Sequence, residues 1–105
     1  MKDSTLTQFV LDKIEDMKAR DIVVIDVVGK STITDTLVVC SGNSKRHVSS
    51  IAANLIKESK LAGHPPLSVE GKETGEWVLV DLGDVVAHVM QDDTRDFYQL
   101  EKLWQ

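Results

Sequence analysis

Apolar and polar positions along the chain sort themselves into helical and extended stretches. Leu6, Phe9, Val10, Ile14 and Met17 recur at three- and four-residue spacing, the period of one helix face. This spacing predicts a helix through about Lys18, and Thr5 with Gln8 three residues later fits a capping box at its start. Residues 22–28 are rich in β-branched side chains and closed by Gly29, so they read as a strand whose nearly continuous apolar character predicts burial on both faces. Residues 36–40 form a second strand. Ser41-Gly42-Asn43-Ser44 then turns the chain, with Ser44 placed to cap a helix carrying Val48, Ile51, Ala52, Leu55 and Ile56 on one stripe. That helix stops at Gly63, ahead of Pro65-Pro66. Residues 67–69 make a short third strand, Gly71 and Gly75 bound a turn, and residues 76–80 and 85–90 read as a hairpin around Leu82-Gly83. A short last helix starts near Asp92-Asp93 and presents Phe97, Leu100 and Trp104 at helical spacing. The order αββαβββα predicts one α/β domain over residues 1–105, built on a five-stranded mixed sheet.

The hairpin is the most informative stretch. In its first strand Trp77, Leu79 and Asp81 point to one side and Glu76, Val78 and Val80 to the other, and both sides are largely apolar. The second strand, residues 85–90, is apolar on both sides as well. Two helices and one short helix are too few to cover both faces of five strands, so a second copy or another protein is expected to cover the remainder. The register depends on the turn. A two-residue turn at Leu82-Gly83 pairs Trp77 with His88 but forces Leu82 to φ > 0. A type I turn with Gly83 in the left-handed position avoids that cost and sets Trp77 against Ala87, and backbone energetics favour it. Trp77 itself reads either as core or as an interface anchor; with Leu79 beside it and few helices to hide it, the anchor is preferred.

Composition narrows the function. The chain has 105 residues with 42% hydrophobic and 28% charged side chains, ordinary globular usage that excludes disordered and coiled-coil classes. Seventeen acidic against 12 basic residues give a net charge of −5, the opposite of a protein that holds nucleic acid by its phosphates. A single cysteine, Cys40, cannot form an internal disulfide and suits a reducing compartment. The first residues carry no signal-peptide or transit pattern, and no apolar run approaches the roughly 20 residues that span a bilayer. The expected location is the cytoplasm, away from membranes.

Candidate chemistry is sparse. Cys40 and His88 could serve as nucleophile and base, but a cysteine ending an apolar strand more commonly packs in the core. His47, His64 and His88 lie in separate contexts with neither an HExxH pattern nor paired cysteines, so no metal site is expected. Asp81 and Asp84 flank a tight turn, where aspartates usually form the turn and only seldom hold a metal. Ser41-Gly42-Asn43-Ser44 lies between a strand and a helix, where backbone N–H groups can hold an anion, but the Walker ending is absent and a capping turn is the simpler reading. Lys45-Arg46-His47 is the one basic cluster; set in a helix's first turn, it is either solvated surface or a place for one or two phosphates.

Several runs together resemble the ribosomal silencing factor (Iojap-like) family, and the bacterial members in particular. They are Asp26-Val27, Lys30-Ser31, Thr34-Asp35 and Ser41-Gly42-Asn43-Ser44, then Val69-Glu70-Gly71 and Gly75-Glu76-Trp77-Val78-Leu79. Asp81-Leu82-Gly83-Asp84-Val85-Val86, His88-Val89, Thr94-Arg95-Asp96-Phe97-Tyr98, Leu100-Glu101 and Leu103-Trp104 complete the match, which runs from about Leu6 to Trp104. The resemblance implies a translational repressor, without cofactor, that binds the large ribosomal subunit through ribosomal protein uL14. Bound there, it would block joining of the small subunit and lower translation when nutrients are short. It also implies a fold related to nucleotidyltransferases, a possible homodimer off the ribosome and little direct RNA binding. The transferase signature of Gly-Ser followed by paired acids is not found in working order, which argues against an enzyme. Carried over by residue, the contact surface would comprise Trp77, Leu79, Asp81, Asp84, His88 and Met90, with the apolar pair anchoring and the acids facing basic side chains. The alternative is a nucleotidyltransferase-like enzyme using Asp81, Asp84 and the turn at residues 41–44; RNA binding through Lys45 and Arg46 is a weaker third reading.

Overall fold

A computed structural model describes residues 4–29 and 34–98. The elements follow the expected order: α1 (Ser4–Glu15), β1 (Arg20–Asp26), β2 (Thr36–Gly42), α2 (Lys45–Leu61), β3 (Ser68–Glu70), β4 (Trp77–Asp81), β5 (Val85–Gln91) and α3 (Asp92–Tyr98). The strands form one mixed sheet in the order β1-β2-β5-β4-β3. Only β2 and β5 run parallel; the other neighbours are antiparallel. The expected five-stranded mixed sheet is therefore present. Lys30, Ser31, Leu100, Glu101, Leu103 and Trp104 lie outside the described residues.

Alternation along the strands separates two sets of side chains. Val38 and Cys40 of β2, Val78 and Val80 of β4, and Val85, Ala87 and Val89 of β5 face the helices. They pack with Leu6, Val10 and Ile14 of α1 and with Val48, Ile51, Ala52, Leu55 and Ile56 of α2, the stripe expected from its spacing. On the opposite face, Val27, Leu37 and Val86 form one small cluster and Val39 with Met90 another, joined by Ile25, Leu79 and Trp77.

Four sequence expectations change. Residues 22–28 were expected to be buried on both sides, yet β1 is an edge strand with a mostly exposed or half-exposed pattern, and Val24 and Val28 are 42% and 55% exposed. The doubly buried strands are β2, buried along its whole length, and β5, because they occupy the sheet centre. Thr5 does not cap α1, since the helix already includes Ser4; Gln8 donates forward to Asp12 Oδ1 at 2.9 Å instead of reaching back. The helix ends at Glu15, and a turn carries the chain through Lys18. The far face of the sheet is not bare either: Leu37, Val39, Val86 and Met90 are all buried, leaving a smaller half-exposed patch than the helix count implied.

The hairpin turn differs from both alternatives. Leu82 N–H donates to the Val85 carbonyl at 2.9 Å, so the two-residue loop is Gly83-Asp84, one position later than expected. Gly83 has φ of +94°, and Asp84 is not among the described residues with positive φ; this is the pattern of a type II′ turn, which needs glycine first. Leu82 escapes strain and is buried in the core at 2% exposure. Asp81 Oδ1 also accepts the Gly83 N–H at 2.9 Å, which fixes the turn.

Removing apolar volume at the sheet–helix junction should cost far more than doing so on β1. Leu55→Ala is expected to lower unfolding free energy by about 2–5 kcal/mol. Val24→Ser, on the edge strand, should stay within about 0.5–1 kcal/mol. Urea titrations followed by circular dichroism measure both.

Candidate docking face around Trp77

The shifted turn determines which residues meet. Trp77 lies opposite Met90 and Leu79 opposite His88, so neither His88 nor Ala87 is the direct partner of Trp77. Alternation still places Trp77, Leu79 and Asp81 of β4 on the same face as Val86, His88 and Met90 of β5, the face away from α1 and α2.

Trp77 is half-buried, with its indole Nε1–H donating to His88 Nδ1 at 3.0 Å. The two ring centroids are 5.9 Å apart and tilted by 48°. This bond requires a bare Nδ1, so the neutral ring carries its proton on Nε2. Burial favours the same state: His88 is 8% exposed, and desolvation lowers its pKa to about 4. The imidazole is thus a fixed acceptor that orients the indole. Met90 is fully buried against Trp77 and Val39, so it backs the tryptophan from beneath and offers no contact surface of its own. That corrects its place among the expected contact residues. The exposed part of the set is Trp77 and Leu79, both half-buried, with half-buried Asp81 and exposed Asp84 at the hairpin end.

A second element positions Trp77. Gly71 has φ of +81°, and a Cβ there would collide with the Trp77 carbonyl oxygen. The loop from Gly71 to Gly75 therefore lies against the start of β4, where Lys45 Nζ of α2 pairs with Glu76 Oε1 at 3.7 Å. Glu70, Gly71, Trp77 and Leu79 line an open depression of about 280 Å³. Sequence reading treated Gly71 only as the boundary of a turn; its closeness to Trp77 was signalled by the short spacing between Gly71 and Gly75 but depends on the pairing of β3 with β4.

The other candidates come apart. Cys40 faces the helices while His88 faces away, so they sit on opposite sides of the sheet and form no dyad. Burial pushes the Cys40 thiol up to about 12, against the lowering influence of Arg95, so it is inert. Ser44 caps α2 as expected, accepting the His47 N–H at 3.0 Å. His47 Nδ1 accepts the Asn43 N–H at 3.0 Å, and its Nε2 bonds the Met17 carbonyl at 2.8 Å, so this histidine ties the turn after α1 to α2. The Asn43 N–H of the turn at residues 41–44 is thus taken by His47, and the nearby opening is lined by Asp92 and Asp93, which repel an anion. Of the basic cluster, Lys45 is engaged by Glu76 and His47 by backbone, leaving Arg46 exposed. His64 Nε2 bonds the Leu82 carbonyl at 3.0 Å, far from the other histidines in role. No cluster of metal-binding side chains occurs among the described residues.

Residues 2–105 match the family described as ribosomal silencing factor during starvation. The chain belongs to the ribosomal silencing factor family. It is 50% identical to the ribosomal silencing factor of Haemophilus influenzae, a match covering 94% of this chain and 97% of that one. A mouse protein named mitochondrial assembly of ribosomal large subunit protein 1 is 42% identical over 82% of this chain and 39% of its own length. A crystal structure of a Chromobacterium violaceum protein superposes with a TM-score of 0.95 at 38% identity, covering 99% of this chain and 87% of that one.

In this family member, His88 makes a measurable mark on stability. Unfolded, its pKa is about 6.5; folded, about 4. As pH falls below 6.5 the unfolded chain takes up the proton first, so native stability decreases until about pH 4 and then levels. His88→Asn removes that component from urea midpoints measured across this range. Its Oδ1 also retains an acceptor near the former Nδ1, so the Trp77 indole N–H resonance in a two-dimensional NMR spectrum stays close to its native position. His88→Leu moves that resonance toward the solvent value.

Proposed function

We propose that this chain is a translational repressor that docks on the large ribosomal subunit and blocks joining of the small subunit. Family membership supports ribosome silencing, and the mouse relative's name, with its reference to the large subunit, supports the choice of subunit. The observation that carries the docking site is a half-exposed tryptophan held in one orientation by a buried histidine, with Leu79 beside it. A rigid aromatic anchor loses little conformational freedom on binding, which is why tryptophan dominates binding hot spots. Asp81 and Asp84 flank the turn at the end of the same hairpin, complementary to a basic protein surface such as that expected of ribosomal protein uL14. Steering by these acids would set register and association rate more than affinity. Off the ribosome, two copies would pair through the same patch, so pairing and docking would compete.

The role needs no catalysis. Asp81 already serves the Gly83 turn, and the opening beside residues 41–44 carries Asp92 and Asp93 where a nucleotide phosphate would have to sit. No helix among the described residues is long and apolar enough to cross a membrane, and the proposed place of action is the cytoplasm.

Sedimentation through sucrose should place the chain with free large subunits and not with small subunits or intact ribosomes. Trp77→Ala should weaken that association by about 2 kcal/mol or more, the level of a hot spot. Asp84→Lys should slow association and reduce its salt dependence with a smaller loss of affinity. Cosedimentation with small subunits alone would overturn the proposal, and calorimetric binding of Mg-ATP or Mg-CTP would revive the transferase alternative.

A further inference from the structure

The sheet face opposite Trp77 is covered by α1 and α2, and one flank of α2 carries an open groove of about 460 Å³. It is lined by Ala53, Ile56, Lys57, Lys60 and Leu61 of α2 and by Lys72 of the loop between β3 and β4. The α2 positions fall at i, i+3, i+4, i+7 and i+8, a single stripe along about 12 Å of helix. The floor is apolar: Ile56 continues the core outward, and Leu61 is 74% exposed at the end of the stripe. Along the rim stand three lysines, none of them in an ion pair among the described residues. Glu58, their neighbour in sequence, is drawn the other way by Lys13 at 3.7 Å. In a chain of net charge −5, this groove is lined by three lysines and no carboxylate around an exposed leucine.

Two demands define an occupant: apolar side chains for the floor and negative charge for the rim. We infer that this groove docks an acidic amphipathic helix of a partner protein. Such a helix presents leucine-like residues at i, i+3, i+4 and i+7, flanked by Asp or Glu, and meets both demands together. A nucleic-acid strand would satisfy the lysines but leave the exposed Ala53 and Leu61 uncovered, and no aromatic side chain lines the groove on which a base could stack. α2, which forms most of the groove, packs on the sheet face opposite the Trp77 side chain, and Lys72 closes the groove from the loop at residues 71–75.

The test uses the full chain, labelled with nitrogen-15. The probe is a capped peptide of about 15 residues, near the shortest length at which an isolated helix persists, with Leu at the four anchor positions and Glu between them. A peptide of the same composition in scrambled order and a short oligouridylate serve as controls. Binding of the patterned peptide should shift amide resonances of residues 53–61 and of the loop at Lys72, and leave the Trp77 indole unmoved. Its affinity by fluorescence anisotropy should drop at least about tenfold in Lys57→Glu with Lys60→Glu, and separately in Leu61→Glu. All three side chains are exposed, so these variants should fold, which the dispersion of their spectra verifies. Equal binding of the scrambled peptide, shifts centred on Trp77, or no shift at millimolar peptide would overturn the inference. So would oligouridylate binding with the same lysine dependence, which would identify a nucleic-acid site, or self-association abolished by the same substitutions.

Discussion

The parallel pairing of β2 with β5 is the constraint on which the other features depend. Both strands are buried along almost their whole length because they occupy the sheet centre, with β1 outside one and β4 outside the other. Their shared register sends Val38, Cys40, Ala87 and Val89 to the helices and Leu37, Val39, His88 and Met90 to the opposite side. A slip of one residue in either strand would exchange these sets. It would drive His88 into the packed helical layer and put Cys40 or Val89 beneath Trp77. The neutral histidine, its open Nδ1 and the fixed indole are thus consequences of central-strand register as much as of local chemistry.

The element order was legible because its signals are local. The 3.6-residue stripes of α1 and α2, the Ser44 cap and the Gly63 stop each act within a turn or two of chain. Strand position was not legible for a physical reason: an apolar β-branched run satisfies an edge or a central strand equally well in sequence. Residues 22–28 look more buried than Thr36–Gly42, yet β1 is the edge, since order is set by the long-range parallel pairing of β2 with β5. The hairpin turn was within reach of local reasoning. Glycine at the first position of a II′ turn with an aspartate accepting its N–H is a short-range pattern, but it competes with turns starting at Leu82, and burial of Leu82 decides between them.

The candidate site was legible in its anchor and not in its support. Trp77 and Leu79 are identifiable from alternation alone. His88 and Met90 share their face, but whether they touch a partner or hold the tryptophan depends on burial that only the assembled sheet determines. Met90 is fully covered and His88 nearly so, and both support the Trp77 side chain from within the sheet. Lys45 shows the converse. It belongs to the one basic run in the sequence, yet its charge is met by Glu76 at the entry to β4 in an exposed pair at 3.7 Å.

Charge distribution ties the two surfaces together. A net charge of −5 disfavours the phosphate backbone of RNA as a general ligand, because each contact would have to overcome the chain's own field. Under the proposed docking on a ribosomal subunit, a protein surface with basic side chains would suit the acidic hairpin end better than bare RNA would. Lys57 and Lys60 of α2, with Lys72 of the β3–β4 loop, instead line a groove that has no carboxylate among its lining residues. At physiological salt the Debye length is about 8 Å, so each charged patch acts mainly on what lies directly against it. A domain this small thus carries an acidic hairpin end beside an aromatic patch and, on α2, a groove lined by lysines, each suited to a partner of different charge.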